Sequence, residues 1–443
     1  MKLTIFHTND IHSHLNEYAR IMTYMAEHRP ELQHPSLYLD IGDHVDLSTP
    51  VTEATMGKKN VELLNEAHCD IVTIGNNEGM TISHEALNNL YNDAQFKVIC
   101  ANVLDEDGHL PRHIATSYIK EIEDVRFLFV AATAPFTPFY RALDWIVTDP
   151  LEAIKDEIEQ RKGQYDVLIV MSHVGVFFDE KLCQEIPEID VILGSHTHHH
   201  FNHGEVNNGV LMAAAGKYGH YLGEVNLTIE NKKVVTKEAT LHPVDTLPVV
   251  KTHFDEEGKD LMNKAIINKP VSLSSKTNVI TKTTYLLAES VYEFTNADCT
   301  IINAGLIVNN VESDQLTEYD IHTMLPHPIN LVRVRLKGSE LKKIILKSQK
   351  QEYMYEHVQG LGFRGDIFGG YILYKCGFIQ SEHRFFVDGQ EIEDNRTYIL
   401  GTVDMYTFGR YFPLLKGTSI DYLMPEFLRD IFKEKLIHMH HSS

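Results

Sequence analysis

Thr8-Asn9-Asp10-Ile11-His12 follows directly on the apolar run Leu3-Thr4-Ile5-Phe6, and Gly194-Ser195-His196-Thr197-His198 follows on Val191-Ile192-Leu193. Each run reads as a short β-strand, so each motif sits in the turn that leaves a strand. Between them Gly42-Asp43, Gly75-Asn76-Asn77-Glu78 and Ser172-His173 occupy the same kind of position. Working outward, short β runs alternate with helical spacing through the first ~245 residues. Strands are expected at Ser36 to Ile41, Ile71 to Ile74, Lys97 to Cys100, Val125 to Val130, Val167 to Met171 and Val210 to Ala214. Helices are expected over Leu15 to His28, Val61 to His68, Ser83 to Tyr91 and Pro150 to Lys162. Such alternation implies a layered α/β domain. Ligands of such domains gather at the carboxyl ends of the strands, where all five motifs fall.

The motifs supply Asp10, His12, Asp43, Asn76, His173, His196 and His198. That is a ligand set for two divalent cations sharing one carboxylate, the arrangement that brings two metals to ~3.5–4 Å in hydrolytic sites. The spacing suggests Asp10, His12 and His198 on one metal, Asn76, His173 and His196 on the other, and Asp43 between them. Imidazole, carboxylate and amide donors suit Mn²⁺, Zn²⁺, Co²⁺ or Fe²⁺ better than Ca²⁺. His199, His200 and His203 extend the cluster and read as loop or outer residues.

The 443 residues exceed one ordinary core, so two domains are expected. The pattern breaks near Pro243 and Pro248, a polar stretch follows, and strands and helices resume after about Thr277. The domains are therefore read as 1–245 and 277–443, with 246–276 as linker. In the second part, helices are expected at Tyr285 to Phe294 and Ser339 to Gln349. Strands are expected at Cys299 to Ile302, Asn330 to Leu336, Tyr371 to Tyr374 and Thr397 to Leu400. The tail from His438 to Ser443 reads as a disordered end. A net charge of −22 argues against a nucleic-acid partner. No apolar stretch approaches a membrane span, and the N-terminal run is too short for a signal core. Five scattered cysteines without CxxC spacing suit a reducing cytosol.

On these motifs, together with Asn303-Ala304-Gly305, Leu325-Pro326-His327-Pro328-Ile329-Asn330 and Leu336-Lys337-Gly338-Ser339-Glu340-Leu341, the chain resembles the 5′-nucleotidase branch of the metallophosphoesterases over nearly its whole length. The resemblance implies a four-layer α/β/β/α metal domain and a smaller mixed α/β nucleotide-binding domain. It also implies hydrolysis of a small phosphomonoester, such as a nucleoside monophosphate, by a metal-activated water. The family's Gly-Asn-His-Glu-Phe-Asp carries a His–Asp dyad; here Asn77 stands for the His and Met80 for the Asp. The family's substrate-binding Arg is Val308. Asn77, His44 or His14 are the candidates to act in the dyad's place beside Asp43. Asn303, Phe363, Phe368, Tyr406 and Phe408 are candidates to hold the leaving-group moiety, with Arg364 and Arg410 as anion clamps. Two rivals remain: the same chemistry on a phosphoanhydride such as a nucleotide sugar or dinucleotide, and a nucleotide-binding sensor without turnover.

Overall fold

The computed structural model describes residues 1–441 and divides into two compact units. The first comprises Met1–Asp46 and Val51–Glu257, the second Leu47–Pro50 and residues 258–441. Ser442 and Ser443, the last residues of the tail, lie outside the described residues.

The first unit is built on two sheets. One has seven strands in the order Lys233–Pro243, Tyr221–Glu230, Lys2–Thr8, Ser36–Asp40, Ile71–Thr73, Lys97–Ile99, Ile114–Ala115. Its centre is parallel, and the Tyr221–Glu230 strand pairs antiparallel with Lys2–Thr8. The other has six strands, with Val210–Ala213, Val191–Gly194, Val167–His173 and Val125–Thr133 running parallel at its centre. Strand periodicity explains the layers. Leu3, Ile5, Leu37 and Leu39 from one sheet share a core with Phe127, Phe129, Ile169, Met171 and Leu193 from the other. The alternate residues Leu128, Val130, Leu168, Val170 and Ile192 point the opposite way, onto Ile154, Ile158 and Leu182 of two helices. Both faces of the central strands are covered, as their unbroken apolar runs require. The outcome is the α/β/β/α sandwich anticipated above.

Local chemistry sets the helix starts. Asp149 caps Pro150–Gln160 by accepting from the amides of Leu151 and Glu152, with Pro150 at the first helical position, where its missing N–H costs nothing. The helix over Leu15–His28 has the bounds expected of it. Tyr221–Glu230 carries an alternation at Val225, Leu227 and Ile229 that the expected strands left out, whereas Ser117–Ile122 and Lys233–Pro243 have no clear alternation; the last is largely exposed and follows the turn at Asn231-Lys232.

In the second unit a five-stranded sheet runs Tyr371–Tyr374, Cys299–Asn303, Thr397–Val403, Asn330–Lys337, Ser419–Phe427. The helices Lys282–Thr295, Gly338–Gln349 and Leu428–His441 accompany it. The stretch expected to be a linker is more structured than its polar composition suggests. Phe254–Leu261 is helical, and Ala265–Ile267 and Val271–Leu273 pair with Leu316–Thr317 and Val311–Ser313 of the second unit. The tail is also corrected: its histidines continue a helix to His441, because Leu428, Ile431, Phe432 and Leu436 anchor one face in the core. Cys69, Cys100, Cys183 and Cys299 are buried free thiols, and Cys376 is half-buried. Among the described residues no helix is long and apolar enough to cross a membrane.

Candidate metal centre

The seven histidine, aspartate and asparagine side chains read from the sequence meet in the first unit, at the carboxyl ends of strands from both sheets. The backbone there is unusual. Asp10, His12, Asp43, His196 and His198 all have φ between 46° and 72°, the left-handed region that costs a non-glycine residue energy. The loops are laced together to hold it: the amides of Asp10, His12 and Ser13 donate to the carbonyls of Gly42, Asp43 and His44 at 2.8–3.0 Å. Two glycines permit the approach. A Cβ on Gly42 would stand 2.4 Å from the Gly75 nitrogen, and one on Gly75 would stand 2.1 Å from Asp43 Oδ1.

The candidate ligand atoms face one another across short distances. His12 Nε2 lies 3.3 Å from His198 Nε2 and 3.8 Å from Asp10 Oδ1, and His198 Nε2 is 3.5 Å from Asp10 Oδ1. On the other side His173 Nε2 is 3.2 Å from Asn76 Oδ1 and 3.3 Å from Asp43 Oδ2, while His196 Nδ1 is 2.7 Å from Asn76 Oδ1. Metal bonds of about 2.1 Å hold neighbouring donors about 3.0–3.4 Å apart, so the edges of 3.2–3.5 Å suit a coordination shell. Asp43 Oδ2, 3.7 Å from His12 Nε2 and 3.3 Å from His173 Nε2, stands between the two groups as a bridging carboxylate must. Asp10 also reaches both groups, its Oδ1 being 3.9 Å from His173 Nε2, which the spacing did not suggest.

Surrounding bonds aim these donors. Asp10 Oδ2 accepts from the Asn9 amide at 2.7 Å, the Ser195 hydroxyl at 2.7 Å and the His196 amide at 3.1 Å. Among the described residues Asp10 Oδ1 is buried without a hydrogen-bond donor, as a lone pair reserved for a cation would be. His173 Nδ1 donates to the Ile41 carbonyl at 2.6 Å, leaving Nε2 for the site. His12 Nδ1 lies 3.2 Å from Asp46 Oδ2. Glu78, fully buried, accepts from the amides of Gly75, Asp43 and Val45 and so fixes the loop that carries Asp43. Asp46, Ser195 and Glu78 escaped the sequence reading; the acid three residues past Gly75, ahead of a helix start, was the available signal for Glu78.

The electrostatics fit a cation site. Burial, with the neighbouring charge of His173, lowers His196 to about 4, and burial lowers His198 to about 4, so both imidazoles are neutral donors. Burial works against charge on His173 too, but Asp43 and Asp10 overcome it and raise that imidazole to about 10. Asp43 is held below the usual carboxylate range by the His173 and His12 charges despite its burial. Beside these carboxylates His173 thus retains a proton that a divalent cation would displace.

The stand-ins for the dyad lie differently. Asn77 is buried, its Nδ2 3.1 Å from both Val45 O and His12 Nδ1, and its amide donates to Asp43 Oδ1 at 2.7 Å. His44 is enclosed by Asn60 and Tyr18, and burial lowers it to about 3, so near neutrality it is an uncharged imidazole and not an acid. His14 is exposed and stacks on Tyr218, ring centroids 4.0 Å apart.

In the second unit most of the expected substrate residues face inward. Phe363, Phe368 and Tyr406 belong to the core. Asn303 donates to Phe368 O and accepts from the Tyr406 hydroxyl at 2.7 Å, a structural role. Arg410 pairs with Glu356 at 2.6 Å at the surface. Arg364 is half-buried, and Phe408, 38% exposed, is the one aromatic of the set on the surface. Buried rings pack there because Gly365 and Gly369 let the loop close over them.

Residues 3–200 match the calcineurin-like phosphoesterase model and residues 263–415 the 5′-nucleotidase C-terminal domain. The chain is 37% identical to the uncharacterized metallophosphoesterase YunD of Bacillus subtilis, across 98% of this chain and 99% of that protein. Among solved structures, the NAD nucleotidase of Haemophilus influenzae superposes with a TM-score of 0.64 at 16% identity, covering 99% of this chain and 96% of that one. The 5′-nucleotidase precursor of Thermus thermophilus gives 0.59 at 18% identity, with 99% and 97% covered.

Proposed function

This chain belongs to the calcineurin-like metallophosphoesterases that carry a 5′-nucleotidase C-terminal domain, and from that premise we propose that it hydrolyses nucleoside monophosphates or similar small phosphomonoesters with two divalent cations. It is a phosphoester hydrolase by family. The observation that carries the finer reading is the seven-donor constellation with the bare, buried Asp10 Oδ1 at its centre.

In this reading Asp10, His12 and His198 would hold one cation and Asn76, His173 and His196 the other, with Asp43 as the carboxylate they would share. Mixed imidazole and carboxylate donors favour Mn²⁺, Zn²⁺, Co²⁺ or Fe²⁺. When bound, such ions neutralise phosphate charge and activate water. The protein's part is positional. Asp46 and Ile41 O turn the Nε2 atoms of His12 and His173 inward, and Glu78 and the Asn77 amide immobilise Asp43. Positioning and charge stabilisation are most of what phosphoryl transfer asks of a protein. A cytosolic setting and a small-molecule rather than nucleic-acid partner belong to the same proposal, supported by the buried free thiols and the net charge of −22.

A second reading has a specific observation behind it. An alkoxide leaving group gains from a proton, and Asn77 offers none; its amide is already within reach of Val45 O and His12 Nδ1. A phosphate leaving group departs as an anion without one, which favours phosphoanhydrides. Phosphate release from nucleoside monophosphates, diphosphates, nucleotide sugars and p-nitrophenyl phosphate, measured on metal-stripped protein with each ion restored, tests both. Metal-dependent phosphate from AMP-like esters supports the first; a nucleoside monophosphate product from sugar nucleotides supports the second. No turnover with any ion would leave a nucleotide sensor.

A further inference from the structure

Beside the metal centre the loop from Gly216 to His220 forms a wall that neither reading uses. It is pinned at three points: the Gly216 amide donates to His199 O at 3.0 Å, the Asn9 side chain donates to Gly216 O at 2.7 Å, and the Tyr218 amide donates to Asp10 O at 2.7 Å. Tyr218 is held at φ 58°, in the left-handed region, by those bonds. Its ring stands edge-on to His12 with centroids 5.7 Å apart, and 6.2 Å from the His198 ring. Lys217 Nζ lies 4.5 Å from the Tyr218 centroid, over the ring that neighbours His12 and His198. Among the described residues no carboxylate is within 4.0 Å of that ammonium, although the chain carries 62 acidic residues against 40 basic ones. Cation–π contact with Tyr218 and half-burial therefore hold a lysine charge at the rim of the site without neutralising it.

The reacting phosphoryl group has two divalent cations to neutralise it and needs no lysine. A second phosphate, joined to the first through a bridging oxygen, does. We propose that Lys217 is an anion-binding residue that favours substrates bearing a second phosphate group, as in nucleoside diphosphates and other phosphoanhydrides. The inference rests on the phosphohydrolase reading and supplies its substrate class. In the step it serves, water adds its oxygen to the attacked phosphorus and the bond from phosphorus to the bridging oxygen breaks. The electron pair leaves on the departing phosphate, whose new charge Lys217 faces, and the proton of water passes to solvent. No acid is required, in keeping with Asn77 where the family has its histidine.

The test compares wild type, Lys217→Gln and Lys217→Arg, loaded with Mn²⁺ and checked for equal metal content. Calorimetry with inorganic pyrophosphate and inorganic phosphate reads binding independently of turnover. In Lys217→Gln the ratio of pyrophosphate to phosphate affinity should fall about 10-fold, with Lys217→Arg restoring most of it; the preference for ADP over AMP in kcat/KM should fall in parallel. An unchanged ratio in Lys217→Gln, or equal losses for both anions, overturns the assignment. Absence of turnover on every substrate overturns the hydrolase reading instead, while the binding ratio still decides Lys217.

Discussion

His12 Nδ1 and Asp46 Oδ2 are 3.2 Å apart, and Asp46 is itself buried. A carboxylate behind a ligating imidazole fixes its ring and raises its basicity, and losing such a partner typically costs ~10–100-fold in metal affinity. Asp46→Asn should therefore weaken Mn²⁺ or Zn²⁺ binding within that range in a chelator-competition titration; unaltered affinity would show that Asp46 does not orient His12. At Asn77 the expectation runs the other way. Replacing Asn77 by His and Met80 by Asp together restores the family's dyad, and an acid of that kind is worth ~10²–10⁴-fold. Turnover on AMP should rise by at least tenfold, and no rise would remove the dyad from the account of this enzyme's selectivity.

His327 illustrates what only packing explains. Its surroundings use both ring nitrogens: Nε2 donates to Leu306 O at 2.8 Å, Nδ1 accepts from the Arg364 amide at 2.8 Å, and the ring stacks on Phe363. Burial lowers this imidazole to about 3. Its folded pKa thus lies below its unfolded value near 6.5, so its contribution to stability is complete above that value and is lost as pH falls from 6.5 toward 3. His327→Phe should be destabilising at pH 7.5, and the gap from wild type should shrink by about 3 kcal/mol by pH 4 in chemical denaturation. Buried Asp404, raised to about 7, acts in the opposite direction, so the difference between the two proteins isolates His327 where the wild-type curve alone does not. A gap independent of pH would mean that the imidazole is not held neutral.

At the scale of elements, the short helix Asn76–Met80 matters more than its length suggests. It carries the candidate ligand Asn76 at one end and, two residues on, Glu78, whose carboxylate gathers the amides of Gly75, Asp43 and Val45. Glu78→Gln keeps the shape but leaves one oxygen for three donors and buries an unsatisfied N–H, a loss of about 1–3 kcal/mol. Lower thermal stability with weaker metal binding is expected, and loss of neither would separate this helix from the site. The helices Leu15–His28 and Pro150–Gln160 were legible because amphipathic spacing and a cap are local signals. The Lys233–Pro243 strand was not, since its order comes from pairing with Tyr221–Glu230.

For the whole molecule, the division falls at Glu257 and Gly258, inside the Phe254–Leu261 helix. The exposed lysines Lys251 and Lys259 lie close to that division, whereas the residues beyond Ala265 are paired into the second unit. Limited trypsinolysis should nick first at Lys251 or Lys259 and leave two stable fragments; cleavage first within either unit would count against two independently folded domains.

The order of five strand-end motifs, with Asp, Asn or His at each, was enough by itself to point to the layered α/β domain and to nominate the seven candidate donors. These are consequences of residue type and short-range spacing, which the chain carries locally. The tertiary structure decided what spacing cannot encode. It set Asp46, Ser195 and Glu78 behind the ligands, put Lys217 and Tyr218 beside them, and turned Phe363, Phe368 and Tyr406 into the core rather than toward a substrate. Such contacts join residues tens to hundreds of positions apart, and the burial that directs a side chain exists only once the layers have closed around it.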